Sequence, residues 1–270
     1  PRELPTYEKH VNLFQKAAES RVPKVETASI PFEGKQLHGY FVRSAKKGES
    51  KQPCVIIFGG ADSTCEEVYF SSVAPATSRG LNVLLVDGPG QGYTLRFQKL
   101  YARYDYEKTV GAAFDYLAAN KSDFLNLDKT GIMGRSLGGY YAARSAAIEK
   151  RVRAAVVFDA IFNVIEDVYD FFPPVRRALN WDVGARSEED ARQKLAKFDL
   201  TGVTQKIACP VLIVHGSEDY VSSPSAAQRL YNSISYGDKT LQWYKAGHGV
   251  SAFRAESASF VFDWLTKKLA

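Results

Sequence analysis

Thr130-Gly131-Ile132-Met133-Gly134-Arg135-Ser136-Leu137-Gly138-Gly139-Tyr140-Tyr141-Ala142-Ala143 is the stretch whose reading decides the fold. Its first four residues form a short apolar strand, and from Leu137 the composition turns alanine-rich and helical. Ser136 falls between the two, with Gly134 and Gly138 beside it. A serine on a tight strand-to-helix turn is a nucleophile elbow; small neighbours are needed because the backbone passes close to its surroundings. The turn presents the hydroxyl at the carboxyl end of the sheet and aims the Leu137 N–H at a nascent oxyanion. Five residues alone are weak support. A turn with incidental glycines loses here because the strand and the helix lie on the correct sides.

Outward from the elbow, short apolar runs alternate with longer helical patterns, as in a mostly parallel sheet flanked by helices. Strands are expected at 25–32, 37–43, 54–58, 83–86, 130–133, 154–158, 211–214 and 240–244, and helices at 6–20, 66–79, 106–119, 137–148, 224–233 and 257–269. The central strands are unbroken Val, Ile and Leu, the mark of strands buried on both faces. Residues 24–43 alternate instead and predict an antiparallel hairpin at the sheet edge. The pattern is that of an α/β-hydrolase fold with eight strands in one domain, 1–270.

One segment breaks the rhythm. Residues 161–206 separate two strands by far more than an ordinary connection. They contain Phe162, Tyr169, Phe171, Phe172 and Trp181 around Pro173-Pro174. An aromatic insertion here reads as a helical cap over the site, with Phe162, Tyr169, Phe172 and Trp181 touching substrate; two ordinary core-packing helices are the alternative.

A serine hydroxyl needs a base, and the base an orienting acid. In this fold they follow in the order Ser, acid, His. Of His10, His38, His215 and His248, only the last two follow Ser136, and only His248 also follows an acid at a strand end. That acid is Asp219, in the turn after 211–214. Glu218 and Asp159 are its rivals and fit the geometry less well. His215 reads as structural and His38 as a surface residue of the edge strand. The second oxyanion donor falls in Gly59-Gly60-Ala61-Asp62-Ser63-Thr64, where paired glycines allow close approach and the Ala61 N–H is the candidate. Asp62 reads as a helix N-cap with Ser63 or as a general acid or base.

Composition sets the outer bounds. The 270 residues carry 35 Lys and Arg against 30 Asp and Glu, a net +5 spread along the chain. The densest basic stretch, 44–51, reads as a solvated loop, which argues against a nucleic-acid partner. No apolar run reaches the roughly 20 residues of a membrane span, so no membrane partner is expected. Three cysteines without metal-ligand spacing, Cys54, Cys65 and Cys209, point to free thiols in a reducing compartment, the cytoplasm. The chain opens at Pro1 and not at Met, which reads as a processed or trimmed form of something longer.

Three motifs in order, Gly59 to Glu67, Asp87-Gly88-Pro89-Gly90-Gln91-Gly92, and Gly134 to Gly139, resemble one branch of the α/β-hydrolase superfamily. That branch contains 2,6-dihydroxypseudooxynicotine hydrolase and the chain-shortening hydrolases of aromatic polyketide pathways, and the similarity runs from about Tyr7 to the C-terminus. The resemblance implies retro-Claisen cleavage of a carbon-carbon bond beside a ketone by the triad Ser136, Asp219 and His248. It also implies an extra acid at the position of Asp62, which turns the balance there from cap to catalytic participant. Relatives carry a helical region ahead of the hydrolase core, of which residues 1–21 read as a remnant.

The expected substrate is a small aromatic or ketonic molecule such as an aromatic polyketide or β-diketone, with no metal and no organic cofactor. A carboxylesterase or acyl-peptide hydrolase would use the same triad; so would an acyltransferase or cyclase that excludes water. A non-catalytic binding module is disfavoured because all three triad residues are present. Aromatic surface could equally pair two copies as a homodimer, and that choice stays open.

Overall fold

The computed structural model describes residues 3–44, 46 and 51–270; of the basic loop read at 44–51, Lys47 and its neighbours 48–50 lie outside them, as does the chain's start at Pro1. In chain order the main elements are α1 (Glu3–Ala18), β1 (Val25–Phe32), β2 (Lys35–Val42), β3 (Gln52–Phe58), α2 (Cys65–Thr77), β4 (Asn82–Asp87), α3 (Gly92–Gln98), α4 (Glu107–Lys121), β5 (Leu125–Arg135), α5 (Leu137–Ile148) and β6 (Ala155–Phe158). Then follow α6 (Arg176–Asp182), α7 (Glu188–Leu195), β7 (Val211–Gly216), α8 (Pro224–Ser233), β8 (Lys239–Tyr244) and α9 (Arg254–Lys268).

The strands form one eight-stranded sheet in the order β1-β2-β4-β3-β5-β6-β7-β8. The expected hairpin is there: β1 and β2 pair antiparallel, β2 meets β4 antiparallel, and every later pairing is parallel. Central strands have no exposed side, and their Val, Ile and Leu side chains feed two cores. Helices α4, α5 and α8 supply the core on one face, through Val110, Ala142 and Leu230 among others. Helices α1, α2 and α9 close the other through Phe14, Val73 and Phe262.

Parallel pairing sets the register that matters for chemistry. Gly134 pairs with Val157 and Arg135 with Phe158, while Phe158 pairs with Val214 and Gly216 with Tyr244. The ends of β5, β6, β7 and β8 therefore lie side by side. The loops that follow them must open on one edge, where ligand sites of such sheets gather.

Two expectations are corrected here. His38 is not a surface residue: α1 and α3 cover its strand, so the ring is buried, stacked on Tyr93 at 4.5 Å, with Nε2 3.7 Å from the buried Glu66 carboxylate. Burial alone would raise the Glu66 carboxyl, yet the neighbouring His38 ring and the Tyr40 hydroxyl, which donates to it at 2.8 Å, hold it down at about 2. Tyr169, expected to touch substrate, has no open surface here. It is fully buried inside the 161–206 segment, its hydroxyl 2.9 Å from Asn180 Oδ1 and its ring flanked by Arg176 and Arg192 at 5.0 Å each. Its task is to hold that segment together.

Candidate active site

Ser136 adopts φ 55° and ψ −121°, a region a side-chain-bearing residue enters only when its surroundings hold it there. Its own N–H donates to Phe158 O at 2.8 Å, and its carbonyl accepts from Gly139 N at 2.6 Å. The two flanking glycines are explained by distance. A Cβ at Gly134 would lie 1.9 Å from Gly138 O, and one at Gly138 would lie 2.4 Å from Gly59 O. The close approach inferred from sequence is thus a contact between the elbow and the loop after β3.

That loop carries Gly59 to Asp62. A Cβ at Gly60 would sit 2.8 Å from Ser136 Cβ and 3.3 Å from Leu137 N, so only glycine lets the loop press against the nucleophile turn. Ala61, the expected second oxyanion donor, is the next residue of this loop. Gln91 braces the loop from behind: its amide donates to Gly59 O, while its Oε1 accepts from Gly88 N at 3.1 Å and from the Tyr106 hydroxyl at 2.6 Å. Asp62 is exposed, with φ 63°, and it is not the helix cap: Thr64 caps α2 by accepting from Glu67 N at 3.3 Å.

On the other side, Asp219 Oδ2 accepts from His248 Nδ1 at 2.8 Å and from the Ser222 hydroxyl at 2.9 Å. Asp219 Oδ1 takes the N–H groups of Val221 and Ser222 at 2.8 and 3.0 Å. Burial alone would raise this carboxyl, but the hydrogen bonds outweigh it and hold it below the usual range. His248 shows the mirror balance: burial lowers it, while the Asp219 bond and the charge of Asp159 lift it above 6.5. With Nδ1 committed to Asp219, the other nitrogen is the one left for proton transfer. Glu218 points to solvent, which removes it as the acid. His215 is buried with Nε2 3.5 Å from Asp219 Oδ2, and burial lowers its pKa, so it supports the acid as a neutral ring. No hydrogen bond joins Ser136 to His248 among the described residues, a gap that substrate binding closes in many such sites.

Asp159, a rival acid in the sequence, has a different place. It follows β6 with φ 56°, is 1% exposed, and accepts from Gly249 N through both carboxylate oxygens at 3.2 Å. It thereby ties the histidine loop to the strand that hydrogen-bonds the elbow. Burial raises its carboxyl to about 6. Asp159, Asp219 and His248 place ligand-type atoms within 4.8 Å of one another, but backbone and ring N–H groups already occupy the carboxylates.

The 161–206 segment faces this edge of the sheet. Pro174, Arg177, Ala178 and Trp181 line a cavity of about 480 Å³ with Asp62 and Arg96. The Arg96 guanidinium lies over the Trp181 ring at 4.9 Å. Phe172 meets Tyr220, the neighbour of Asp219, edge-on at 5.8 Å. Phe162 instead packs on the core under Arg229, so of the four expected aromatics only Trp181 lines this cavity and Phe172 borders the acid's loop. Gln91 lay in the second motif without a role of its own, and Ser222 and Asp182 lay in none; Gln91 braces a loop more than thirty residues away.

A model of the prolyl oligopeptidase family matches residues 67–270, well over half of the chain. The chain is 34% identical to the 2,6-dihydropseudooxynicotine hydrolase of Paenarthrobacter nicotinovorans over 88% of its own length and 60% of that protein's. It is 28% identical to the alpha/beta hydrolase psoB of Aspergillus fumigatus over 99% of this chain and 72% of that one. To the hydrolase pyiE of Pyricularia grisea it is 38% identical, across 63% of this chain but only 38% of that protein. The crystal structure of a 2,6-dihydroxy-pseudo-oxynicotine hydrolase superposes with a TM-score of 0.88 at 29% identity, covering 98% of this chain and 73% of that one. Most of these curated relatives are thus much longer than the stretch they share with this chain.

Proposed function

Because the chain belongs to the prolyl oligopeptidase family of α/β hydrolases, we propose that it is a serine hydrolase that cleaves a carbon-carbon bond beside a ketone, shortening an aromatic polyketide or similar β-diketone. Ser136, His248 and Asp219 are its triad, Ala61 and Leu137 its oxyanion donors, and residues 161–206 its cap. The observation that carries the reading is a carboxylate where a plain esterase needs none: Asp62, two residues beyond the Gly60 that meets Ser136, lines a cavity with Trp181 and Arg177.

His248 takes the proton of Ser136 as Oγ adds to the ketone carbon, and the oxyanion forms against the two backbone N–H groups. Collapse breaks the bond to the neighbouring carbon, whose electron pair must be delocalised by a second carbonyl or an electron-rich ring. A carbanion is a far worse leaving group than an alkoxide, so a proton must reach it as it departs, from His248 or Asp62. Water, deprotonated by His248, then adds to the acyl-serine and releases the acid. In sum, ketone and water give a carboxylic acid and a shortened C–H product. The cytoplasm is the setting this reading favours, with three buried free cysteines in keeping.

Mass-spectrometric product analysis with an aromatic β-diketone, and in parallel a simple aryl ester, tests it. The diketone loses an acyl fragment with wild type and stays intact with Ser136→Ala and with Asp62→Asn. Cleavage of the ester alone, with Asp62→Asn silent, would make the enzyme an esterase.

A further inference from the structure

Two buried groups behind the cavity-lining Trp181 and on the elbow helix lack a hydrogen-bond partner. Asp182, the last residue of α6, is fully buried, and neither of its carboxylate oxygens is bonded. Tyr141, on the elbow helix α5, is equally buried, and its hydroxyl is also unbonded. The Asp182 carboxyl adds to the upward push on the Tyr141 hydroxyl, and Asp62 and Arg96 act on Asp182 in turn, Asp62 raising and Arg96 lowering it. An unmet buried polar group is costly, and here two from different elements are unmet.

The charge of Arg96 opposes the effect of burial on Asp182 but does not outweigh it. Asp182 is fixed by its backbone: its carbonyl accepts from Ala102 N at 2.7 Å, and Leu179 and Val183 on either side are sunk in the core. The arginines of the same segment are spent elsewhere, Arg176 on Asp170 and Glu188, and Arg192 on Asp170. On the far side the Tyr141 ring is stacked on Tyr106 at 3.9 Å, which fixes where its hydroxyl points. Burial raises the Asp182 carboxyl well above the carboxylate range, leaving it a neutral acid with one donor and one acceptor.

We propose that Asp182 and Tyr141 form a recognition subsite for a ring hydroxyl of a phenolic substrate, satisfied when α6 closes over the bound ligand. This rests on the carbon-carbon hydrolase reading for the identity of the substrate, and it adds which end of the molecule is held. A phenolic hydroxyl both donates and accepts, the complement of a neutral carboxyl paired with a tyrosine hydroxyl. The aromatic ring would then lie toward Trp181, with its ketone near the elbow. A site built to bond a hydroxyl rejects the analogue that lacks it, because its own groups are then left unpaired.

The test is a binding measurement in the Ser136→Ala background, where turnover cannot interfere. Two aryl β-diketones are compared by calorimetry, one with ring hydroxyls and one with a bare phenyl ring. The hydroxylated ketone should bind at least about tenfold more tightly, as one hydrogen bond to a buried group allows. Adding Asp182→Leu or Tyr141→Phe should erase that preference, leave the affinity for the bare ketone in place, and hold or raise Tm. An unchanged preference in both variants overturns the proposal. So does a lower Tm with Tyr141→Phe, which removes one oxygen only and would reveal a structural water as the true partner. Because binding is read without turnover, absence of carbon-carbon cleavage sinks the parent reading and leaves this result standing.

Discussion

Replacing Asp159 by Asn should make the protein more stable at neutral pH than at acid pH, relative to wild type. The carboxyl is 1% exposed, faces Asp219 and His248, and is lifted from its ordinary 3.8 to about 6, chiefly by burial. At about 1.4 kcal/mol per tenfold change, that difference corresponds to about 3 kcal/mol. The sign follows from which state holds the proton more tightly. With the folded value raised, the folded state binds the proton better, so this contribution is complete below the unfolded value near 4 and is lost as pH rises through 6. Asn keeps an acceptor for Gly249 N and does not titrate. The stability of Asp159→Asn minus that of wild type, taken from urea midpoints with unchanged slope, should therefore grow by ~2.4 kcal/mol between pH 4 and pH 8. A difference that stays flat across that range would refute the reasoning and show the carboxylate to be well solvated or fully compensated by His248.

Asp219→Asn should fold normally and lose about 10⁴-fold in kcat, because the amide can no longer hold the His248 tautomer; steady-state kinetics on any cleaved substrate reads this. The activity requires a neutral base and His248 is held above 6.5, so kcat/KM of the wild type should rise with pH on a limb centred above that value. In Asp159→Asn the limb should move to lower pH, since a negative charge that favours the imidazolium is gone. Gly138→Ala would put a Cβ 2.4 Å from Gly59 O, whereas at Gly237 a Cβ meets nothing within 4 Å. The first should cost at least about 1–3 kcal/mol in thermal unfolding, as overpacking does, and the second should leave Tm unchanged.

The parts of this molecule that depend on chain-local chemistry were readable from sequence. Strands β3 to β7 announced themselves because burial on both faces demands unbroken apolar runs, and β1 because half-burial demands alternation. The elbow was readable because two glycines cannot be replaced where backbones touch. Helix α3 was not: it begins inside a glycine-rich turn, and Asp87 anchors its start by accepting from Tyr93 N at 2.9 Å. Asp159 showed as an acid at a strand end, but nothing local told that a positive φ would turn it inward against the histidine loop. Tyr169 and Trp181 looked alike in sequence, as aromatics of one insertion. Which of them reaches a cavity depends on where Arg176 and Arg192 go, and that is decided by residues far along the chain.

The layout also bears on how this site selects a bond. In the proposed site, the groups that generate the attacking oxygen follow β5, β7 and β8, and Asp159 links the histidine loop to the strand that bonds the elbow. The groups that would meet the departing carbon are Asp62, on the loop that also carries Ala61, and α6, joined through the cavity wall of Arg96, Arg177 and Trp181. Ester hydrolysis asks only for the first unit, because an alkoxide leaves with a proton from the histidine alone. Carbon-carbon cleavage asks for both, since the leaving carbon needs a proton and a fixed plane for its charge. Changes confined to α6 should therefore suppress carbon-carbon cleavage while sparing aryl-ester cleavage, and changes at Asp219 should abolish both. A ratio of the two activities that stays constant across α6 variants would mean that the leaving group is handled by the triad itself.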